Sequence, residues 1–391
     1  MEMGRMERLE QVVTSDSKYS WNSKPNNYLL WACCLLILGC KKVDLAPEAK
    51  NNKSILVYIS ANNDLKYSAL RSIDQMEKSY RKEDGDLIVF IKTERYSSHI
   101  LKIKQDETQG VIASDTLKTY GNENSSSVDF MEKVFKDMKS FSLAREYGLI
   151  LWSHATSWIP EAKGTPQLKS FGYDRGKALD LKDLKAALPD NLKFILFDAC
   201  YMASVEVVYE LRKKADYIIA SSSEVLNTSY PYDLILRDLF AEDLISVCSK
   251  FYKYYNSKNG IDQSATVSLI KTKSLEKLGL ETKLLLERSD KRKINILSRN
   301  SQNFNFVKDI SIGFYDFMSL IKDNYKENEY AEIKKALVNC ILYKAYTKTF
   351  LNLPVLESSG LTLSLIDMPF LLNYYKSLDW YLDAGLQNIY E

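Results

Sequence analysis

One stretch limits the fold more than any other: Phe194 to Ser204, FILFDACYMAS. Four consecutive apolar residues, Phe194 to Phe197, stop at Asp198, and a helical pattern (Val205, Val207, Val208, Leu211) begins soon after. A short apolar run bounded by polar residues and followed by a helix predicts a central strand of a sheet buried on both faces. Ligands of open α/β sheets bind beyond the carboxyl ends of such strands. Cys200 lies just past this end, where a following helix N-terminus is expected to lower the pKa of its thiol.

A second stretch answers the first. Tyr147 to Ser153, YGLILWS, is another buried-strand pattern and delivers His154. A cysteine nucleophile needs a base or a charge partner to form thiolate near neutral pH. The chain has two histidines, and the other, His99, lies in the alternating run YSSHILKI, which suits an edge or half-exposed strand. His154 is therefore the candidate partner of Cys200.

The rest of the chain alternates strand and helix. Strands are predicted at Ile55 to Ser60, Asp86 to Thr93, Ile100 to Lys104, Ile112 to Thr116, Tyr217 to Ala220 and near Ala265 to Ile270. Helices are predicted after Asn62-Asn63-Asp64 through Tyr80, at Ser127 to Phe141 and at Leu181 to Leu188. From Asp233 to Asn352 the pattern is mostly helical, followed by a strand at Leu361 to Ile366 and a closing helix at Phe370 to Leu382. Repeated β-α-β order implies an α/β fold, with a mainly parallel sheet flanked by helices on both faces and a largely helical C-terminal elaboration. No Pro/Gly/Ser-rich linker divides residues 54–391.

The blocks SHATSW (Ser153 to Trp158) and DACYMASVEVVYEL resemble those of the clostripain family of cysteine peptidases. That family belongs to the caspase-like clan, with gingipains and legumain. ILVYISANNDL, ADYIIASSSE, PYD, SGLTLSL and YYKSLDWYLDAG extend the resemblance from about Ser54 to the C-terminus. It implies a caspase-like fold and hydrolysis of peptide bonds after Arg or Lys by a Cys200/His154 dyad. Backbone N–H groups of Ala155 and Cys200 would form the oxyanion hole. Asp198, two residues before the cysteine, would lie at the floor of a pocket for the basic side chain, with Glu224, Asn227 and Thr228 lining it. Relatives are often activated by self-cleavage after a basic residue, for which Lys163, Lys169, Arg175 and Lys177 are available. Several clan members bind calcium, although no EF-hand spacing occurs here. His154-Ala155 replaces the usual His-Gly, and Ala203 stands where glycine is frequent. These departures leave open a second reading, a weak or inactive surface lipoprotein that binds peptides or partner proteins.

The N-terminal region points to the cell envelope. Tyr28 to Gly39 is an apolar stretch, short for a bilayer span, and Ile37-Leu38-Gly39-Cys40 resembles a bacterial lipobox. Residues 1–40 are read as a signal peptide, with Cys40 the lipidated residue that anchors a monomer to the membrane, and residues 41–53 as a polar tether. Residues 1–27 are long for the n-region of a signal peptide and carry acidic residues such as Glu2, Glu7 and Glu10, so a start codon downstream of Met1 would fit. Of the six cysteines, Cys200, Cys248 and Cys340 then remain in the body. Cys248 and Cys340 fall within helical patterns and read as small buried side chains. No Cys/His cluster has zinc spacing, so no structural zinc site is expected. The 53 basic and 51 acidic residues nearly cancel, and the 26 tyrosines are scattered, so no nucleic-acid surface is expected.

Overall fold

The computed structural model describes residues 20–21, 51–160, 170–289, 300–306, 312–366 and 368–390. The apolar segment of residues 28–39, Cys40, most of the tether, Lys163 and Lys169 lie outside the described residues.

Strands and helices follow one another as β1 Asn51–Ser60, α1 Lys66–Ser79, β2 Asp86–Lys92, β3 Ser98–Lys102 and β4 Asp115–Tyr120. Next come α2 Val128–Phe141, β5 Ala144–Trp152, α3 Leu181–Ala187, β6 Leu192–Asp198, α4 Val205–Glu210 and β7 Ala215–Ala220. The chain continues through α5 Tyr232–Ala241, α6 Leu244–Asn256, β8 Thr266–Lys271, α7 Leu275–Arg288, α8 Phe317–Asn324, α9 Glu327–Cys340 and β9 Ile341–Tyr346. Then come α10 Pro369–Tyr375 and α11 Asp379–Asp383, before a last short helix at Gln387–Tyr390.

Nine strands form one sheet in the order β9-β8-β7-β6-β5-β1-β2-β3-β4. The five in the middle, β7 to β2 in that order, run parallel, and two antiparallel strands extend each side. The sheet is therefore mixed: its centre is the parallel α/β sheet expected from the β-α-β order, and both edges are antiparallel. Alternate residues of the central strands feed two separate cores. Ile55, Val57 and Ile59 pack with Ile73 of α1, Ile235 of α5 and Val247 of α6. Leu56 and Tyr58 share the opposite core with Val134 of α2, Leu184 of α3, Val208 of α4 and Leu278 of α7. Both faces are covered, which is why the strands read as unbroken apolar runs.

The chain order places a switch in the middle of the sheet. From β1 the chain steps to β2 on one side, and later builds β5, β6 and β7 on the other. Loops leaving β1 and β5 therefore part toward opposite faces, which opens a crevice at the carboxyl ends.

Three expectations are corrected. Asn51 to Lys53 belong to β1 rather than to the tether, because they pair with Ala144 to Glu146 of β5. The closing helix is broken into α10 and α11, since Lys376 to Leu378 turn so that Tyr375, Leu378 and Trp380 all enter the core. The pattern around Cys340 is not wholly helical: α9 ends at that residue, and Ile341 opens the edge strand β9.

A hairpin, Phe171–Asp174 with Lys177–Leu179, folds back over the sheet after the His154 loop. It is fixed by an ion pair in which both side chains are fully buried, Lys92 Nζ to Asp174 Oδ2 at 3.4 Å. Asp174 also accepts from Ser125 N–H (2.7 Å), Ser125 Oγ (3.0 Å) and Asn62 Nδ2 (2.7 Å). Removing one member of such a pair leaves an uncompensated buried charge. Lys92→Ala is expected to destabilise the protein by about 3–5 kcal/mol in urea unfolding. Lys53→Ala, at the partly exposed pair with Glu242, should cost less than about 1 kcal/mol.

Candidate active site

Strands β5 and β6 pair in register, with Asp198 opposite Trp152. Each strand therefore ends at the same level, and the two residues beyond each end are Ser153-His154 and Ala199-Cys200. His154 and Cys200 line one open cleft of about 410 Å³, together with Asp64, Ala155, Asp198 and Glu224. His99 lies away from it, in β3, with its Nδ1 3.1 Å from Thr119 Oγ1.

The histidine loop is anchored on both sides of the ring. Ser153 Oγ donates to Ser60 O at 2.6 Å, and His154 O accepts from Gly172 N–H at 3.0 Å. Ser157 Oγ donates to Ser204 Oγ at 2.6 Å, tying the loop to the segment after Cys200. Trp158 is fully buried, donates through Nε1 to Ser364 Oγ at 2.9 Å and packs on Tyr375. The spacing from His to Trp thus locks the loop into the core. His154 Nε2 lies 2.8 Å from Asp64 Oδ1.

The cysteine segment is zipped to the chain leaving β7. Tyr201 N–H donates to Ser223 O and Ala203 N–H to Ser221 O, both at 2.9 Å. On its other side, Thr362 N–H donates to Ala203 O at 3.0 Å. Tyr201 takes a left-handed conformation (φ 62°) and its ring stacks on Phe314 at 4.6 Å. Neither Ala155 nor Ala203 is among the residues with positive φ. Their methyl groups therefore meet no backbone penalty.

The thiol itself differs from the sequence expectation. Helix α4 begins at Val205 with Ser204 as its N-cap, so Cys200 is not at the helix N-terminus. Burial, reinforced by the Glu224 carboxylate, pushes the Cys200 thiol up to about 12. Its Sγ accepts from Val225 N–H at 3.4 Å and faces Val225 O at 3.8 Å. One backbone unit holds the protonated sulfur.

Asp198 is buried at the cleft floor. Its Oδ2 accepts from Ser229 Oγ, from Tyr230 N–H at 3.2 Å and from the Tyr232 phenol Oη at 2.8 Å. Ser229 in turn accepts from Trp152 Nε1 at 2.8 Å. Burial raises the Asp198 carboxyl to about 6 despite these donors. Glu224 and Asn227 also line the cleft. Thr228 is not among these lining residues, and its hydroxyl pairs with that of Tyr255 at 2.8 Å. Sequence reasoning missed Asp64, although the polar run Asn62-Asn63-Asp64 directly after a buried strand was the available signal. It also missed Asn305 and Leu351 on the cleft wall, which come from distant parts of the chain. Among the described residues no group of three or more His, Cys, Asp or Glu side chains is placed to hold a metal ion.

The Clostripain family model matches residues 57–382. This chain belongs to the clostripain family. Clostripain from Hathewaya histolytica is 26% identical over 223 residues, which cover 48% of this chain and 42% of that protein. An inactive zymogen C11 protease from Parabacteroides distasonis superposes with a TM-score of 0.74 at 28% identity, over 87% of this chain and 99% of that one. A secreted C11 cysteine protease from Bacteroides thetaiotaomicron, in complex with an irreversible peptide inhibitor, gives 0.73 at 25% identity, over 86% and 99%. In this clostripain-family chain the caspase-like expectation for the fold holds.

The neutral thiol gives a direct test. Iodoacetamide reacts with thiolate, so at pH 7.5 Cys200 should alkylate at least about a hundredfold more slowly than free cysteine. Because the Glu224 charge raises the thiol, Glu224→Gln should speed alkylation at the same pH, read by mass mapping of Cys200. An unchanged rate would refute that electrostatic link.

Proposed function

We propose that this chain is a cysteine endopeptidase that hydrolyses peptide bonds after arginine or lysine. The observation that carries this reading is the juncture of His154 and Cys200 beyond two adjacent parallel strands, in one open cleft. Cys200 gives its proton to His154 and Sγ adds to the scissile carbonyl carbon. The imidazolium then protonates the leaving amine as the C–N bond breaks, and water hydrolyses the thioester. The N–H groups of Ala155 and Cys200 hold the developing oxyanion. No hydrogen bond among the described residues engages either of them.

The substrate's charge completes the site. A guanidinium or ammonium entering beside Asp198 and Glu224 forms charge-assisted hydrogen bonds. It also offsets the negative charges that hold the thiol in its neutral form, so a basic side chain both binds and favours the thiolate. Asp198, with one oxygen already held by three donors, presents a fixed carboxylate rather than a mobile one.

For activation by self-cleavage we propose Lys163 or Lys169 as the cut site. Arg175 sits in the hairpin turn with its guanidinium on Asn122, and Lys177 opens the return strand, so a cut there would break the hairpin. We assign the protein to the cell envelope as a monomer, lipid-anchored at Cys40. Among the described residues no helix is long and apolar enough to cross a membrane.

Fluorogenic peptides ending in arginine or lysine test the activity. Turnover is expected for the wild type and none for Cys200→Ala, and equal rates would end this reading. Citrulline in place of arginine should lower kcat/KM by roughly tenfold to a hundredfold, the worth of a charge-assisted hydrogen bond. Cys40→Ser should move the protein from the membrane fraction to the soluble one.

A further inference from the structure

The crevice brings a third side chain to the histidine. β1 and β5 are neighbours at the point where the strand order turns, so the loops leaving them start side by side at its rim before they diverge to opposite faces. Asp64, on the loop after β1, places Oδ1 2.8 Å from His154 Nε2. A carboxylate only accepts, so Nε2 carries the proton of this bond.

The loop that presents Asp64 is built rather than loose. Ala61 N–H donates to Lys92 O at 2.8 Å, and Asn62 Nδ2 donates to Asp174 Oδ1 at 2.7 Å. Asn63 Nδ2 donates to Tyr173 O at 3.0 Å, while its Oδ1 accepts from Leu65 N–H at 2.9 Å. Asp174 is the buried partner of Lys92. A fully buried ion pair thus fixes, through Asn62, the backbone that carries an exposed carboxylate to the histidine.

We propose that Asp64 is a positioning residue for His154, an inference that rests on the peptidase reading for its consequence in catalysis. Holding Nε2–H leaves Nδ1 as the nitrogen that takes the proton from Cys200 Sγ and delivers it to the leaving amine. The carboxylate also keeps the ring plane facing the cleft while its charge alternates, so proton transfer starts from one geometry.

Two readouts test this. Asp64→Ala should lower kcat by roughly tenfold to a hundredfold, with KM within about twofold of wild type. Asp64→Asn should restore most of kcat, because the amide oxygen still accepts from Nε2–H. Nitrogen-15 NMR of the imidazoles supplies a signal independent of turnover, since the chain has two histidines. In Cys200→Ala protein the His154 Nε2 resonance should move on Asp64→Ala, stay in place on Asp64→Asn, and His99 should be unaffected by either. Wild-type protein that cleaves nothing would refute the peptidase reading while the NMR result still decides the pairing. An unmoved Nε2 resonance, or an Asp64→Ala kcat within about twofold of wild type, would overturn the proposal.

Discussion

Parallel pairing of β5 with β6 is the constraint on which the site depends. Two parallel strands in register must end on the same rim, and the residues that follow them must emerge together. With Asp198 opposite Trp152, the chain has little choice about where His154 and Cys200 appear. That register is specified by burial on both faces. A slip of one residue would turn Ile195 and Phe197 toward the wrong core and Phe194 and Leu196 away from theirs.

Beneath the cleft the apolar layers give way to a polar one. Trp152, Ser229, Tyr230 and Tyr232 converge on Asp198, and Ser157 joins Ser204 across the two loops. Buried polar groups are costly unless satisfied, and a satisfied set admits few alternative arrangements. The strands bring the loops to one rim, and this layer sets their mutual position. Burial of the site and the neighbouring Glu224 carboxylate together push the Cys200 thiol up.

Legibility followed the range of the interactions. Phe194 to Phe197 and Gly148 to Trp152 carry their burial in consecutive residues, so strand type and the emerging His and Cys could be read locally. The β-α-β order then implied the parallel sheet. What depended on distant contacts could not be read. Cys200 met a carboxylate and a backbone unit from the loop after β7, instead of the helix next to it in sequence. Thr228 was drawn to Tyr255 of α6, and Ile341 joined β8 as an edge strand because seventy residues earlier Thr266 to Lys271 offered a free ladder. The break between α10 and α11 likewise reflects where Trp380 must pack, beside Tyr209 and Phe317.

The two remaining cysteines lie on opposite sides of the sheet, Cys248 in the core with α1, α5 and α6 and Cys340 in the core with α2, α3 and α4. Both are fully buried, and all three described cysteines are free. The nine strands stand between them as an insulating wall, so neither can cross-link to the other without dismantling the sheet. Reductants can therefore be present without loosening any covalent staple among these three, and oxidative damage to sulfur falls first on the one atom that lines the cleft.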